Sequence, residues 1–290
     1  MVEQLSESLE LSESCSTIDF IATDSTELTM NILQKIIAHK HQEVAEQQAK
    51  VSIAELEKSP YFEHPTFSLS AALRRPDKAG IIAEHKRKSP SKGIINANVT
   101  VEEVTTGYVR AGASALSVLT DEHFFLGKTE DLITARRLNE VPILRKDFTI
   151  GEYQIVEAKA IGADAILLIA AVLTPTEVRQ LSSFARSLGL ETLLEIHSHE
   201  ELGHICDTVH AVGVNNRNLA DFIVDIQRSI DLAPFIPNEF VKVSESGLSD
   251  PATVLELRAA GFQGFLIGES FMKVERPGEA CGEFIHRLLA

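Results

Sequence analysis

Residues 81–93 read IIAEHKRKSPSKG, an apolar start that runs within a few positions into one acid and three bases. A short apolar run closed by Pro and Gly reads as a buried strand that ends in a loop. Alternation along such a strand puts Ile82, Glu84 and Lys86 on one face and Ala83 and His85 on the other. Charged groups at the end of a strand that begins apolar must face a cavity or a partner, because burying an unpaired charge costs too much. An ammonium beside a carboxylate keeps its proton and can donate it, while an ionised carboxylate accepts one at neutral pH. The stretch therefore has the makings of an acid–base site.

The elements that would position it follow a regular beat. Leu28, Ile32, Leu33, Ile36 and Ile37 recur at helical spacing within 26–51, and a second short helix is expected over 53–58. Strand-like runs then appear at 81–86, 115–120, 142–147, 165–171, 191–196, 211–216, 240–246 and 264–268. Helical patterns alternate with them at 101–111, 129–138, 152–161, 175–188, 198–206, 223–232, 251–260 and 277–289. Gly112, Gly162, Gly189 and Gly261 stand where a left-handed residue ends a helix, and Thr174-Pro175 and Asp250-Pro251 match a cap followed by a first-turn proline. Eight strand–helix units predict an α/β fold, a (β/α)8 TIM barrel with extra N-terminal helices. The structural alternative, an open doubly wound sheet, usually has fewer strands, and no G-x-G-x-x-G follows the first strand.

In such a barrel the chemistry gathers at the C-terminal ends of the strands. The first run ends in Glu84 and Lys86 and the third in Lys146-Asp147-Phe148. The fifth ends in Glu195, the sixth in Asn215-Asn216-Arg217-Asn218-Leu219 and the seventh in Glu245-Ser246-Gly247. The opposite strand ends are nearly all apolar or small. Gly247 after the seventh strand and Gly268-Glu269 after the eighth can bring backbone N–H groups to an anion, with Ser89 and Lys88 closing from the other side.

Length and composition agree with a soluble enzyme: 290 residues, 44% apolar and 24% charged. No apolar run approaches the ~18 residues of a membrane span, and no secretory or transit signal is expected. The net charge of −15 speaks against nucleic acid as a partner. Cys15, Cys206 and Cys281 are far apart and read as free thiols of a reducing compartment, so a cytoplasmic location is expected. Glu3, Glu7, Glu10, Glu13, Asp19, Asp24 and Glu27 all precede Lys35, the first base. Residues 1–25 are thus expected to form an acidic, Ser-rich disordered tail, a solubilising extension, with 26–290 as a single barrel domain.

In combination and order, AEHKRKSPSKG, LRKDF, LLEIH, VGVNNRNL, VSESG and LIGES make the chain resemble the indole-3-glycerol phosphate synthase family from about Asn31 to the C-terminus. The resemblance implies conversion of 1-(2-carboxyphenylamino)-1-deoxyribulose 5-phosphate to indole-3-glycerol phosphate, CO2 and water, without metal or organic cofactor. It implies that Lys146 is the general acid of ring closure and that Glu195 is the base of the final dehydration. Lys86 would hold the substrate carboxylate, with the acid duty at each step left open between the two lysines. Glu84, Asn215 and Glu245 would complete the polar network, and Arg217 would lie near the anthranilate carboxylate. Ser89, Ser246, Gly247, Gly268 and the Glu269 N–H would cradle the phosphate, while Phe148 and Leu219 would wall the aromatic ring. Lys86, Lys88, Lys146 and Arg217 would form a positive basin in an acidic protein. The implied partners are a phosphorylated small molecule and other tryptophan-pathway enzymes, with no nucleic acid and no membrane.

Two features depart from the family pattern, the acidic tail and His85. Alternation turns His85 toward the barrel–helix layer, where a satisfied core histidine is expected. Glu195-Ile196-His197-Ser198-His199 could suggest a metal site, but neither Cys nor a second carboxylate cluster stands at ligand spacing. A second enzyme reading, phosphoribosylanthranilate isomerase, lacks the long N-terminal helices and uses a Cys/Asp pair, whereas neither Cys206 nor Cys281 lies at a strand end. A binding-only barrel would be expected to have lost Lys86, Lys146 or Glu195.

Overall fold

Short runs of Ile, Leu, Val and Ala form eight parallel strands that close into one barrel in the computed structural model, which describes residues 30–218 and 221–290. The strands are β1 (Ile81–His85), β2 (Ala115–Leu119), β3 (Ile143–Lys146), β4 (Ala165–Ile169), β5 (Glu191–Ile196), β6 (Ala211–Asn215), β7 (Val241–Glu245) and β8 (Gly264–Ile267). Each pairs with its successor, and β8 pairs with β1 through Ile81–Phe265, Ile82–Leu266 and Ala83–Ile267 to close the ring. The closed ring of eight strands is as the alternation predicts.

Alternation sorts the apolar residues into two shells. Ile82, Ala115, Leu144, Leu167, Leu193 and Val243 fill the interior, with Leu69 and Leu73 packed into the same cluster from the helix α3 (Leu69–Leu73). Ile81, Ala83, Leu116, Val118, Leu168 and Phe265 face outward against the helical layer. The same rule carries Glu84, Lys146, Glu195 and Glu245 to the interior face at one end of the barrel.

The covering helices are α1 (Ile32–Lys50), α2 (Ile53–Leu56), α3, α4 (Val101–Arg110), α5 (Glu122–Phe125), α6 (Thr129–Leu138), α7 (Glu152–Ala160), α8 (Pro175–Ser187), α9 (Gln227–Leu232), α10 (Pro251–Ala259), α11 (Glu269–Met272) and α12 (Pro277–Leu289). Asn31 begins α1 with a capping box to Gln34, and Thr174 does the same for α8 with Glu177. The four glycines after α4, α7, α8 and α10 have φ of 97°, 90°, 77° and 99°, the left-handed stop read from the sequence.

Two helices are shorter than the sequence pattern predicts. Residues 198–206 form only the 3-10 turn Glu200–His204, because Gly203 weakens the run and the His204 ring sits between the carbonyls of Glu201 and Leu173, each 3.0 Å from a ring nitrogen. Over 223–232 the helix starts only at Gln227, because an Arg217–Val224 bridge and the Asp221 carboxylate on the Ile223 N–H hold the preceding turn. Helix α1 begins at Ile32 after its cap Asn31, and residues 26–29 of its expected span, like the tail over 1–25, lie outside the described residues.

One polar clamp ties α1 to the barrel mouth. Lys40 is fully buried, with its Nζ 2.9 Å from Asp147, 3.0 Å from Asp121 and 3.0 Å from Glu43. It stands one helical turn beyond Ile36, on the same buried face. Asp147 also accepts from Thr120 at 2.6 Å and lies 3.3 Å from Arg145, so one carboxylate joins α1 to the ends of β2 and β3. Burial opposes its charge, but Lys40 and Arg145 outweigh that and hold the Asp147 carboxyl down at about 2.

Candidate active site

The mouth of the barrel is a cavity lined from nearly every strand end. Glu84 and Lys86 enter from β1, Lys146 and Phe148 from β3, and Glu195 from β5. Asn215 and Arg217 enter from β6, Glu245, Ser246 and Gly247 from β7, Gly268 and Glu269 from β8, and Ser89 from the loop after β1. Thirteen of the fifteen residues singled out in the sequence share this one lining. Leu219 lies outside the described residues. Lys88 is a correction: its ammonium is spent on the His123 carbonyl at 3.3 Å, and it is not part of the lining. The two-residue hairpin after β1, Lys88–Ser89 with Gly93–Ile94, alternates the other way and sends Ser89 inward instead.

Lys146 is the centre of the polar network. Its Nζ donates to Glu195 Oε2 at 2.7 Å and to Glu245 Oε2 at 3.0 Å. Burial alone would strip an ammonium of its proton, but Glu195, Glu245 and Glu84 outweigh it and raise Lys146 well above the lysine range. Beside it, Lys86 donates to Glu84 Oε1 at 2.6 Å, and Ser117 donates to the other oxygen at 3.3 Å.

The three carboxylates differ in their surroundings. Burial disfavours the ionised form of Glu195, yet Lys146 and His197 hold it well below the usual carboxylate range. Asn215 Nδ2 fixes its Oε1 at 3.0 Å. For Glu245, burial combined with the charges of Glu195 and Glu84 prevails over Lys146 and pushes it up to about 7. Of the two acids that flank Lys146, Glu245 is the one where a proton is more readily kept. Its Oε1 is buried without a hydrogen-bond partner among the described residues.

His197, which the sequence suggests only as a metal candidate, lies against Glu195. Its Nε2 lies 3.3 Å from Glu195 Oε1, in ion-pair contact without hydrogen-bond alignment, and its Nδ1 lies 3.3 Å from Glu201 Oε2. Burial works against the cation, but the two carboxylates raise His197 to about 9. The usable signal was its spacing of two from Glu195, which puts both on one strand face. His199 instead meets Phe235 edge-on, with ring centroids 4.5 Å apart, and among the described residues no three His, Cys, Asp or Glu are grouped to hold a metal ion.

At the rim, Arg217 Nη2 reaches Glu269 Oε2 at 3.3 Å and Nη1 the Phe222 carbonyl at 3.3 Å. Ser246 and Gly247 both have positive φ, 68° and 79°, a conformation rare for serine and typical of backbone bent for a purpose. The apolar wall is made by Phe148, whose ring centroid is 6.0 Å from that of Phe125, and by Ile32, Leu33 and Ile36 of α1. Phe125 sits on α5, which alternation had not foretold. His85 is buried as expected but not satisfied, since its Nε2 has no hydrogen-bond partner among the described residues. Burial, with Arg87 adding to it, lowers it to about 4, so it is neutral at physiological pH.

Comparison with known proteins adds a second line of evidence. Residues 33–284 match the family model described as indole-3-glycerol phosphate synthase. The indole-3-glycerol phosphate synthase of Bacteroides thetaiotaomicron is 51% identical over 255 residues, covering 88% of this chain and 98% of that protein. That of Acidithiobacillus ferrooxidans is 42% identical over 254 residues, covering 86% and 97%. Among solved structures, a mutant tryptophan synthase α-subunit from Pyrococcus furiosus superposes with a TM-score of 0.55 at 18% identity, over 72% of this chain and 97% of that one. That last likeness bears on the barrel fold alone.

Proposed function

Since the chain belongs to the indole-3-glycerol phosphate synthase family, we propose that Lys146 and Glu195 carry the proton transfers of its ring closure. The reaction is the family's: 1-(2-carboxyphenylamino)-1-deoxyribulose 5-phosphate yields indole-3-glycerol phosphate, CO2 and water, a carbon–carbon lyase step of tryptophan biosynthesis.

The carboxylate-bearing aromatic carbon attacks the ketone carbon, and the Lys146 ammonium protonates the ketone oxygen as charge develops there. CO2 then leaves, and its bonding electrons return to the ring. Glu195 takes the proton lost in the dehydration, while the departing hydroxyl leaves as water with a proton from Lys86 or Lys146. Glu245, titrating near neutrality against Lys146, is suited to restore that lysine's proton. The observation that carries this reading is Lys146 Nζ held at 2.7 and 3.0 Å between two buried carboxylates in the barrel mouth.

Ser89, Ser246, Gly247, Gly268 and Glu269 would hold the phosphate. The bent backbone at 246–247 supports this, as does the absence of a side-chain cap on α11, which leaves first-turn amides for an anion. Arg217 would meet the substrate carboxylate with Lys86, and Phe148 would stack near the ring, with Leu219 as its partner wall. Cys206 is buried beside Ser182 and Thr208, and Cys281 lies on α12, so neither supports the isomerase reading. Among the described residues no helix is long and apolar enough to cross a membrane. We place the enzyme in the cytoplasm beside other enzymes of its pathway, as one domain over 26–290 preceded by an acidic tail. The test is indole fluorescence on adding the substrate to folded protein; no rise with intact protein would reject the assignment.

A further inference from the structure

Glu245 extends from β7 toward β6, where the interior position is Gly213. Strand pairing sets Gly213 level with Glu195 of β5 on one side and Val243 of β7 on the other. A β-carbon at 213 would come closer than 3.0 Å to Glu245 Oε1, and within 3.3 Å of Leu193 Cδ1. The glycine is not required by its backbone, for it is not one of the glycines with positive φ. What occupies the space of the missing side chain is Oε1, the buried oxygen without a hydrogen-bond partner among the described residues, while Oε2 accepts from Lys146 at 3.0 Å.

We propose that Gly213 is a positioning residue for the ring-closing acid: its bare α-carbon is the notch in which the Glu245 carboxylate lies so that Oε2 reaches Lys146. The inference rests on the reading of Lys146 given above. The same construction occurs across the mouth. A β-carbon at Gly268 would come closer than 3.0 Å to Glu84 Oε1, the oxygen that accepts from Lys86 at 2.6 Å. Gly268 is also assigned to the phosphate, so Gly213 is the cleaner place to test the idea.

The clash at 213 is with the far end of a flexible side chain, so Gly213→Ala should fold by swinging the carboxylate away. A crystal structure of the variant should show Glu245 Oε2 withdrawn from Lys146, and kcat should fall about tenfold with KM within about twofold of the parent. In a Glu245→Ala background there is no carboxylate to displace, and adding Gly213→Ala should cost less than about twofold more. Equal losses in both backgrounds, or an unmoved carboxylate, would overturn the proposal. Should Gly213→Ala alone not fold, the double variant should fold with the melting temperature of Glu245→Ala, and its failure would equally refute the notch. Failure of the Lys146 assignment is read separately, as turnover surviving in Lys146→Ala, and leaves the 213–245 coupling measurable.

Discussion

An ammonium flanked by two buried acids is a proton donor with a reserve, and the reserve has a cost. Glu245 is kept near neutrality by burial and by like charges, while Glu195 stays ionised because Lys146 and His197 both attend it. The charged strand ends were legible because polar residues interrupt runs that otherwise alternate apolar. His197 was less so, since a histidine two places after a glutamate looks the same whether it holds a metal or another side chain. His85 shows the limit in the other direction: its burial followed from alternation, but whether its ring nitrogen found a partner depended on atoms far along the chain. It offers a pH test. The unfolded chain binds a proton at His85 below its usual value of 6.5, whereas the folded chain refuses it until about 4, so stability is lost as pH falls through that window. His85→Leu should stabilise at pH 7.5 by removing a buried unpaired nitrogen, and by about 2 kcal/mol more at pH 5, read from urea unfolding. An equal gain at the two pH values would contradict the burial argument.

At the scale of the element, the decisive piece is α1. Its helical spacing was plain in the sequence, but its attachment was not, because a lysine on an apolar helical face usually carries its charge outward. Here Lys40 turns inward to Asp121 and Asp147, so the helix that supplies Ile32, Leu33 and Ile36 to the cavity is bolted next to Lys146. Lys40→Met should cost about 3–5 kcal/mol, because it leaves buried carboxylates uncompensated. KM should rise with it as the apolar wall loosens. Unchanged stability and KM would show the clamp to be dispensable. The short helices α5 and α11 escaped the sequence pattern, because one turn of helix has no period to detect.

For the whole molecule, the closed ring could be read from the count and alternation of its units, while their exact ends shifted, by a residue or two for most and by four at the helix that begins at Gln227, where local side chains capped or unwound them. The ring also brings Ser89, Ser246, Gly247 and Gly268, the proposed phosphate cradle, together at one end of a chain whose net charge is −15. Inorganic phosphate should therefore stabilise the whole barrel by mass action, by about 2.7 kcal/mol at one hundred times its Kd, and raise its melting temperature, whereas chloride at equal ionic strength should not. Gly247→Val should abolish that shift, since φ of 79° is strained for valine and the side chain would meet Val224. A shift that persists in the variant would move the phosphate elsewhere.

The most direct measurement is steady-state turnover of Lys146→Ala, followed by indole fluorescence with protein verified as folded. Removing a positioned acid should lower kcat by about 10²-fold or more while the phosphate-induced thermal shift remains. Turnover near that of the parent enzyme would contradict the central claim that this lysine, held between Glu195 and Glu245, closes the ring.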